Sequence, residues 1–170
     1  MATTASLVLG ADGSSTKNGS SQPLSSAADR ERFLRRRRDF DCLIIGGQTA
    51  NSERYLQTPS PLVILSHTRP SLLEKNAQAH WWQMAPADAI ARAEKEFGEN
   101  IGIEAGPSII LELLALGKID DFELSITPIT GGEGLLDIQN LLKNFQEITE
   151  ELVDGTQFFS CSGPIIKKQK

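Results

Sequence analysis

The chain has 170 residues, of which 39% are hydrophobic, so it is long enough to bury one core, and we predict a single domain over 1–170 with loose ends at 1–4 and 165–170. Its net charge of −5 predicts that neither nucleic acid nor an anionic membrane is its partner. Two cysteines without a C-x-x-C neighbour, and no apolar run near the roughly 18 residues of a membrane span, favour a cytoplasmic protein without disulfides.

The first part of the chain predicts a strand, a loop and a helix. Residues 5–9 form a short apolar run that is typical of a strand. Residues 11–22 are rich in Gly, Ser and Asn, which indicates a long mobile loop of the kind that often covers an active site. Ser26 and Asp29 have the S-x-x-D spacing of a helix start, and the helix should continue to about Arg38.

Three unbroken apolar runs predict buried, parallel strands. They cover residues 42–45, 62–65 and 101–103, and they lack the polar alternation of a strand with one solvated face. Each run ends in small or polar residues. Since the carboxyl ends of parallel strands meet at one edge of a sheet, we expect a shared ligand site there.

The remaining segments predict helices between the strands and further strands at the end. Residues 86–97 have helical spacing after a first-turn proline, and residues 109–116 form an apolar helix that ends at Gly117. Beyond them we predict a strand at 122–129, a glycine-rich turn at 131–134, a short helix at 138–145 and a last strand at 156–161. These final strands can complete the sheet, and the last one can be antiparallel to its neighbour. The alternation of elements predicts an α/β sandwich with helices on both faces.

Common catalytic signatures are missing from the sequence. No G-x-G-x-x-G, P-loop or G-x-S-x-G motif occurs, and the two histidines, His67 and His80, lack the spacing of a metal site, so no metal is predicted. Two strand-to-helix turns contain glycine instead, at 46–47 and at 106–107. Backbone amides at a helix start, without a Cβ in the way, can approach a phosphate, so two such turns together can hold a dinucleotide pyrophosphate. The alternative is that both are simple tight turns.

The order of these segments resembles the reductase domain of bacterial riboflavin-biosynthesis deaminase-reductases. The similar segments are I-E-A-G-P-S at 103–108, Leu113-Leu114, residues 119–124 up to Pro128, Gly131-Gly132, A-D-G at 11–13, Ser25-Ser26 and D-x-x-x-x-G-x-x-T at 41–49. The resemblance covers nearly the whole chain. It implies a dihydrofolate-reductase-like, three-layer α/β sandwich with a mostly parallel central sheet and an antiparallel C-terminal strand.

The resemblance implies NADPH as the cofactor. It places the turn after the first buried strand and a helix start around the cofactor, with a serine near the adenosine 2′-phosphate and an arginine beside it as a further charge-assisted contact. The implied cofactor-binding residues are Gly46, Gly47, Thr49, Ser66, Arg69, Gly106, Pro107, Ser108 and Ile109.

The reaction implied by the resemblance is reduction of a phosphoribosylamino-pyrimidine, with hydride passing from the nicotinamide to C1′ of the opened ribose. Asp12 and Glu104 are the predicted catalytic residues, although Asp-Gly is also an ordinary turn pair and a buried Glu can belong to a structural ion pair. Ser25, Arg37 and Asn51 are the predicted substrate-binding residues. Arg37 is the member of the run 35–38 expected to meet the substrate 5′-phosphate, while the other three arginines are expected to be solvated.

The sequence departs from the family at three places and leaves alternatives open. Pro23 replaces a usual Trp, Ala105-Gly106 replaces a glycine pair, and residues 51–54 replace an acidic-Asn-Pro stretch. The alternatives are a pterin or dihydrofolate-type reductase, and a nucleotide-binding protein of the same fold without turnover. No H-x-E or P-C-x-x-C motif occurs, so no deaminase domain is expected within these residues. Family members are commonly dimers, and a homodimer is predicted.

Overall fold

The structure, a computed structural model, describes residues 2–51 and 53–165. Its strands are β1 (Ala2–Gly10), β2 (Ser14–Thr16), β3 (Cys42–Gly46), β4 (Leu62–Leu65), β5 (Ala79–Trp82), β6 (Asn100–Ile103), β7 (Asp121–Thr127), β8 (Glu133–Leu135), β9 (Phe145–Val153) and β10 (Thr156–Pro164). Its α-helices are α1 (Ala27–Arg36), α2 (Pro86–Glu96), α3 (Pro107–Ala115) and α4 (Ile138–Leu142).

Eight strands form one sheet in the order β5-β4-β3-β6-β1-β7-β10-β9. The pairs from β5 through β7 are parallel, whereas β10 is antiparallel to both β7 and β9. The short strands β2 and β8 form a second, two-stranded sheet. The predicted mostly parallel sheet with an antiparallel C-terminal end is therefore confirmed.

Both faces of the large sheet are buried, which explains the unbroken apolar runs. Along β3, Cys42 and Ile44 pack into one hydrophobic cluster, and Leu43 and Ile45 pack into a second cluster on the opposite face. The first cluster includes buried residues of α2, α3 and α4. This arrangement gives the predicted three-layer sandwich.

The ends of several elements differ from the prediction. Strand β1 begins at Ala2, and the Thr3 amide donates to Asp120 Oδ2 at 2.8 Å, so residues 2–4 belong to the sheet and are not a loose end. At the other end, residues 166–170 lie outside the described part of the chain. The predicted mobile loop at 11–22 contains β2, which pairs with β8. No helix in the described residues combines the length and hydropathy that a bilayer span requires.

The end of the last helix was predicted wrongly, and the strand after it was missed. Helix α4 ends at Leu142, and Phe145 begins β9, which the sequence analysis did not find. Seven consecutive β9 residues after Phe145 are exposed, so this strand lacks the apolar alternation that identifies a half-buried strand. Helix α1 likewise ends at Arg36 and continues only as a 3-10 turn over Arg37–Asp39.

Candidate functional site

The two glycine turns lie side by side at the carboxyl edge of the sheet. Strands β3 and β6 are parallel neighbours with Ile44 opposite Ile103, and the Glu104 amide donates to the Ile44 carbonyl at 3.0 Å. Gly46 ends β3, and Gly106 is the N-cap of α3. The expectation that both bends occur at the same end of the sheet is confirmed.

The three glycines of these turns meet different surroundings. A Cβ on Gly46 would lie 3.1 Å from Ile109 Cδ1, and a Cβ on Gly47 would lie 3.0 Å from the Cβ of Ser66. A Cβ on Gly106 would meet nothing within 4 Å. Packing therefore accounts for the first two glycines, whereas Gly106 faces open space.

A cleft of about 1050 Å³, including its open mouth, lies in front of these turns. Its walls come from α1, from the middle of β1, from the segment after β2 and from the turn that follows β6. Charged side chains in the walls are Asp29, Arg30, Arg36, Arg54 and Glu104. The cleft thus combines the predicted glycine turn with a group of arginines that an anionic ligand can meet.

Four of the predicted site residues line the cleft, namely Thr49, Glu104, Gly106 and Pro107. Five more are their near neighbours at the same edge but do not line it, namely Gly46, Gly47, Ser66, Ser108 and Ile109. The others lie outside the lining, namely Asp12, Ser25, Arg37, Asn51 and Arg69.

Arg37 does not line the cleft, so the structure gives no support to its predicted contact with a substrate phosphate. Its side chain is only 5% exposed, and its Nε donates to both oxygens of Glu104 at 2.9 and 3.0 Å. The guanidinium lies over the rings of Phe33 and Tyr55, each 4.6 Å away, and its Nη1 donates to the Arg54 carbonyl at 3.0 Å. This network uses the charge that was expected to meet the ligand.

Glu104 is a buried carboxylate with a partner. Its side chain is 3% exposed, and the Tyr55 hydroxyl donates to Oε1 at 3.4 Å in addition to the Arg37 contact. Burial raises the pKa of Glu104, and the Arg37 guanidinium opposes that shift. An ion pair therefore explains the burial of this carboxylate, as the structural alternative predicted, although Glu104 still lines the cleft.

Asp12 connects two loops instead of contacting the cleft. Its carboxylate accepts hydrogen bonds from the Ser14 hydroxyl and amide and from the Gly131 amide, the last at 2.9 Å. The Ser14 hydroxyl, followed by the Gly131 amide, lowers the pKa of Asp12 to about 2. A carboxylate held in this way stays ionised near neutral pH, so the turn interpretation of Asp12 fits better than a catalytic role as a proton donor.

Sequence analysis missed the charged face of α1. Asp29, Phe33 and Arg36 follow one another at spacings of four and three residues, which places them on one face of a helix. Asp29 is buried, and its Oδ2 accepts from the Ser25 hydroxyl at 2.7 Å. Arg36 is half-buried, and burial lowers its pKa. The helical spacing was available in the sequence, but the run of four arginines hid which one faces inward.

Comparison with known proteins identifies the fold. No protein-family model and no curated protein matches the chain. Among solved structures, the deaminase/5-amino-6-(5-phosphoribosylamino)uracil reductase of Thermotoga maritima matches with a TM-score of 0.76 at 14% identity over 96% of this chain. The chain has the fold of these reductases. It spans 56% of the Thermotoga protein, so it corresponds to about half of that chain.

Two further structures match over almost their full length. A pyrimidine reductase-like protein from Corynebacterium diphtheriae has a TM-score of 0.70 at 16% identity, with 98% of this chain and 92% of that chain covered. A putative riboflavin biosynthesis protein from Shewanella sp. PV-4 has a TM-score of 0.63 at 17% identity, with 95% and 98% covered. The dihydrofolate-reductase-like sandwich implied by the sequence resemblance is therefore confirmed.

Proposed function

We propose that this chain is an NADPH-dependent reductase that transfers the nicotinamide hydride to C1′ of the opened ribose of a phosphoribosylamino-pyrimidine. One observation carries the proposal: two glycine turns on neighbouring parallel strands lie beside a cleft lined with arginines. The named reductases with the same fold give this geometry its chemical context.

The pyrophosphate of NADPH would bind at the start of α3. This helix has nine residues, and no side chain caps its N-terminus. Pro107 has no N–H, so the amides of Ser108 and Ile109 are the open donors, and an anion at a helix start gains from both the donors and the helix dipole. Gly106 and Pro107 line the cleft at this point, together with Thr49 from the neighbouring turn.

The adenosine 2′-phosphate would lie beyond β4, near Ser66 and Arg69. The Ser66 hydroxyl donates to the Thr68 carbonyl at 2.7 Å. It can donate to a phosphate only after it rotates away from that carbonyl. The Arg69 side chain is 62% exposed, and its Nη2 lies 3.8 Å from Glu74, so it can turn toward a phosphate at little cost. Arg69 is thus the stronger of the two candidates for distinguishing NADPH from NADH.

The substrate would occupy the cleft between α1 and the sheet. Exposed Arg30 lies in its wall and takes the place of Arg37 as the proposed contact for the 5′-phosphate. Glu104, held by Arg37, would orient the ring, and the β2–β8 sheet would limit entry of water. Bound NADPH supplies the hydride, and the protein must align donor and acceptor because a small misplacement loses most of the proximity gain.

A homodimer and a cytoplasmic location remain predictions. The two tryptophans do not add support for a dimer, since Trp82 is 5% exposed and the Trp81 indole donates to the Ser66 carbonyl at 3.0 Å. Light scattering at several protein concentrations measures the oligomeric state directly.

A thermal-shift titration with NADPH and NADH tests the cofactor, because a ligand that binds the folded state raises the melting temperature with concentration. Loss of NADPH absorbance with the phosphoribosylamino-pyrimidine then tests turnover.

Arg30→Ala should raise KM for that substrate with little change in kcat, and Arg35→Ala is a matched control because Arg35 is 68% exposed and pairs with Glu31. No thermal shift at saturating NADPH would contradict the proposal.

A further inference from the structure

Asp29 is a buried carboxylate for which the protein supplies only part of the hydrogen bonding. It lies in the first turn of α1, is 7% exposed and lines the cleft. Its Oδ2 accepts from the Ser25 hydroxyl at 2.7 Å, whereas its Oδ1 accepts from no donor in the described part of the chain. The ion pairs found over residues 2–51 and 53–165 do not include Asp29. Since a buried carboxylate without a cation is costly, a ligand that donates to Oδ1 would account for its position.

The free oxygen of Asp29 is open to the cleft. Among the described residues, the unpaired side-chain atoms that solvent cannot reach do not include Oδ1. The other carboxylates differ, because Glu104 accepts from Arg37 through both oxygens and Asp12 lies outside the cleft lining. Asp29 therefore offers a ligand in the cleft an acceptor that the protein itself does not use.

Arg30, the neighbour of Asp29 in the chain, indicates which part of the substrate meets this acceptor. Arg30 is exposed, lines the same cleft and is the proposed contact for the 5′-phosphate. Like charges keep the phosphate itself away from the Asp29 carboxylate, so the carboxylate would meet the carbon chain beside the phosphate. Because C5′ carries the phosphate ester, C4′ is the nearest carbon of the opened ribose that carries a hydroxyl.

We infer that Asp29 accepts a hydrogen bond from the C4′ hydroxyl of the opened ribose and so binds the opened sugar in preference to the closed ring. This inference rests on the proposed function and assigns a further binding residue to its substrate. When the ring opens, the C1′–O4′ bond breaks, the C1′=N bond forms and a proton passes from the nitrogen to O4′. Only the opened form has a C4′ hydroxyl, whereas O4′ of the closed ring is an ether oxygen without a proton. Asp29 would thus stabilise the form that accepts the hydride.

Two sugar phosphates that differ at this position test the inference without cofactor. Ribitol 5-phosphate is an open chain with a C4 hydroxyl, and 1,4-anhydroribitol 5-phosphate is the corresponding closed ring. Isothermal titration calorimetry should show that Asp29→Asn weakens binding of ribitol 5-phosphate on the order of tenfold, because a hydrogen bond to a charged acceptor is stronger than one to an amide. Binding of the closed sugar should stay the same or become tighter.

The closed sugar also serves as an internal control for folding, since a damaged cleft would bind both sugars poorly. Glu31→Gln removes a carboxylate elsewhere on α1, which is 72% exposed and pairs with Arg35 at 2.7 Å, and it should leave both affinities unchanged. Arg30→Ala should weaken both sugars by a similar factor, because both carry the phosphate. In the complete reaction, Asp29→Asn should lower kcat more than it raises KM, because less of the bound substrate is open.

Four results would overturn the inference: no binding of ribitol 5-phosphate to the wild type, equal effects of Asp29→Asn on the two sugars, a larger effect on the closed sugar, or an unchanged kcat. The titrations contain no NADPH, so their outcome is distinct from failure of the proposed function. A protein that reduces the pyrimidine substrate but shows equal effects on both sugars would keep the proposed function and lose this inference. A protein with the expected difference and no cofactor binding would do the reverse.

Discussion

Ile109 packs over Gly46, so closely that a Cβ added at residue 46 would lie 3.1 Å from its Cδ1. The first turn of α3 is thereby fixed against the end of β3. Since β3 and β6 are also hydrogen-bonded neighbours, the two glycine turns form one packed unit. A ligand that contacts both turns, as proposed for the pyrophosphate of NADPH, would therefore need no movement that first brings the turns together.

Gly106→Ala separates packing from ligand binding. Gly106 has a φ of −69°, and a Cβ there would meet nothing within 4 Å, so stability should stay the same or rise by about 0.4–1 kcal/mol. NADPH affinity should fall by roughly tenfold, which corresponds to about 1.4 kcal/mol, because the methyl group occupies the path of the phosphate. Urea unfolding and calorimetric titration measure the two quantities.

The matched control for this variant is Gly47→Ala, whose Cβ would lie 3.0 Å from the Cβ of Ser66. It should lose stability even without ligand, since a side-chain stem must shift. Unchanged NADPH affinity in Gly106→Ala would show that the turn does not contact the cofactor.

Arg37→Met should destabilise the protein by about 3–5 kcal/mol, because removal of one partner leaves the other charge buried and unpaired. Glu104 is the partner that remains, with 3% of its side chain exposed. The double variant Arg37→Met/Glu104→Leu should regain most of the loss, since burying two apolar groups avoids the unpaired charge. Urea unfolding of the three proteins checks this. A double variant as unstable as the single one would mean that the ion pair itself supplies the stability.

Asp12 should contribute stability that depends on pH. Its pKa in the folded protein is about 2, below the ordinary value of 3.8, so its contribution is present above the higher value and is lost as pH falls toward the lower one. Asp12→Asn should therefore be less stable than wild type near neutral pH, and the difference should shrink between about pH 4 and pH 2. Urea unfolding across this range measures it. A constant difference, together with lost turnover, would instead support the catalytic interpretation.

Both cysteines should be unreactive while the protein is folded. Burial raises the pKa of Cys42 to about 12 and that of Cys161 to about 11. Because the thiolate is the reactive form, thiol labelling near pH 8 should be slow in buffer and fast in urea. Rapid labelling of the native protein would show that one of the two strands opens readily.

The sequence predicted correctly those strands whose two faces are both buried. The runs 42–45, 62–65 and 101–103 predicted the central parallel strands because both faces of those strands are covered. Strand β9 was missed for the opposite reason, since most of its residues are exposed and its existence depends on pairing with β10. The two strands are joined by the two-residue turn Asp154-Gly155, and this D-G hairpin signal is the local pattern that the sequence analysis did not use.

The sequence predicted the backbone turns of the site better than it predicted the contacts of its side chains. The glycine turns follow from strand ends, which are local features. Which arginine of 35–38 faces inward depends on the point where α1 becomes a 3-10 turn, because that change directs Arg37 toward Glu104 and leaves Arg36 in the cleft. The partner of Arg37 lies 67 residues away in the chain, and no spacing rule predicts such a contact.

The most direct test of the shared pyrophosphate site is amide hydrogen exchange with and without NADPH. The account predicts that exchange slows at both turns together, at residues 46–49 and at Gly106, Ser108 and Ile109, because open amides become donors to one ligand. Protection at only one of the two turns, or at neither, would contradict the claim that they bind the cofactor jointly.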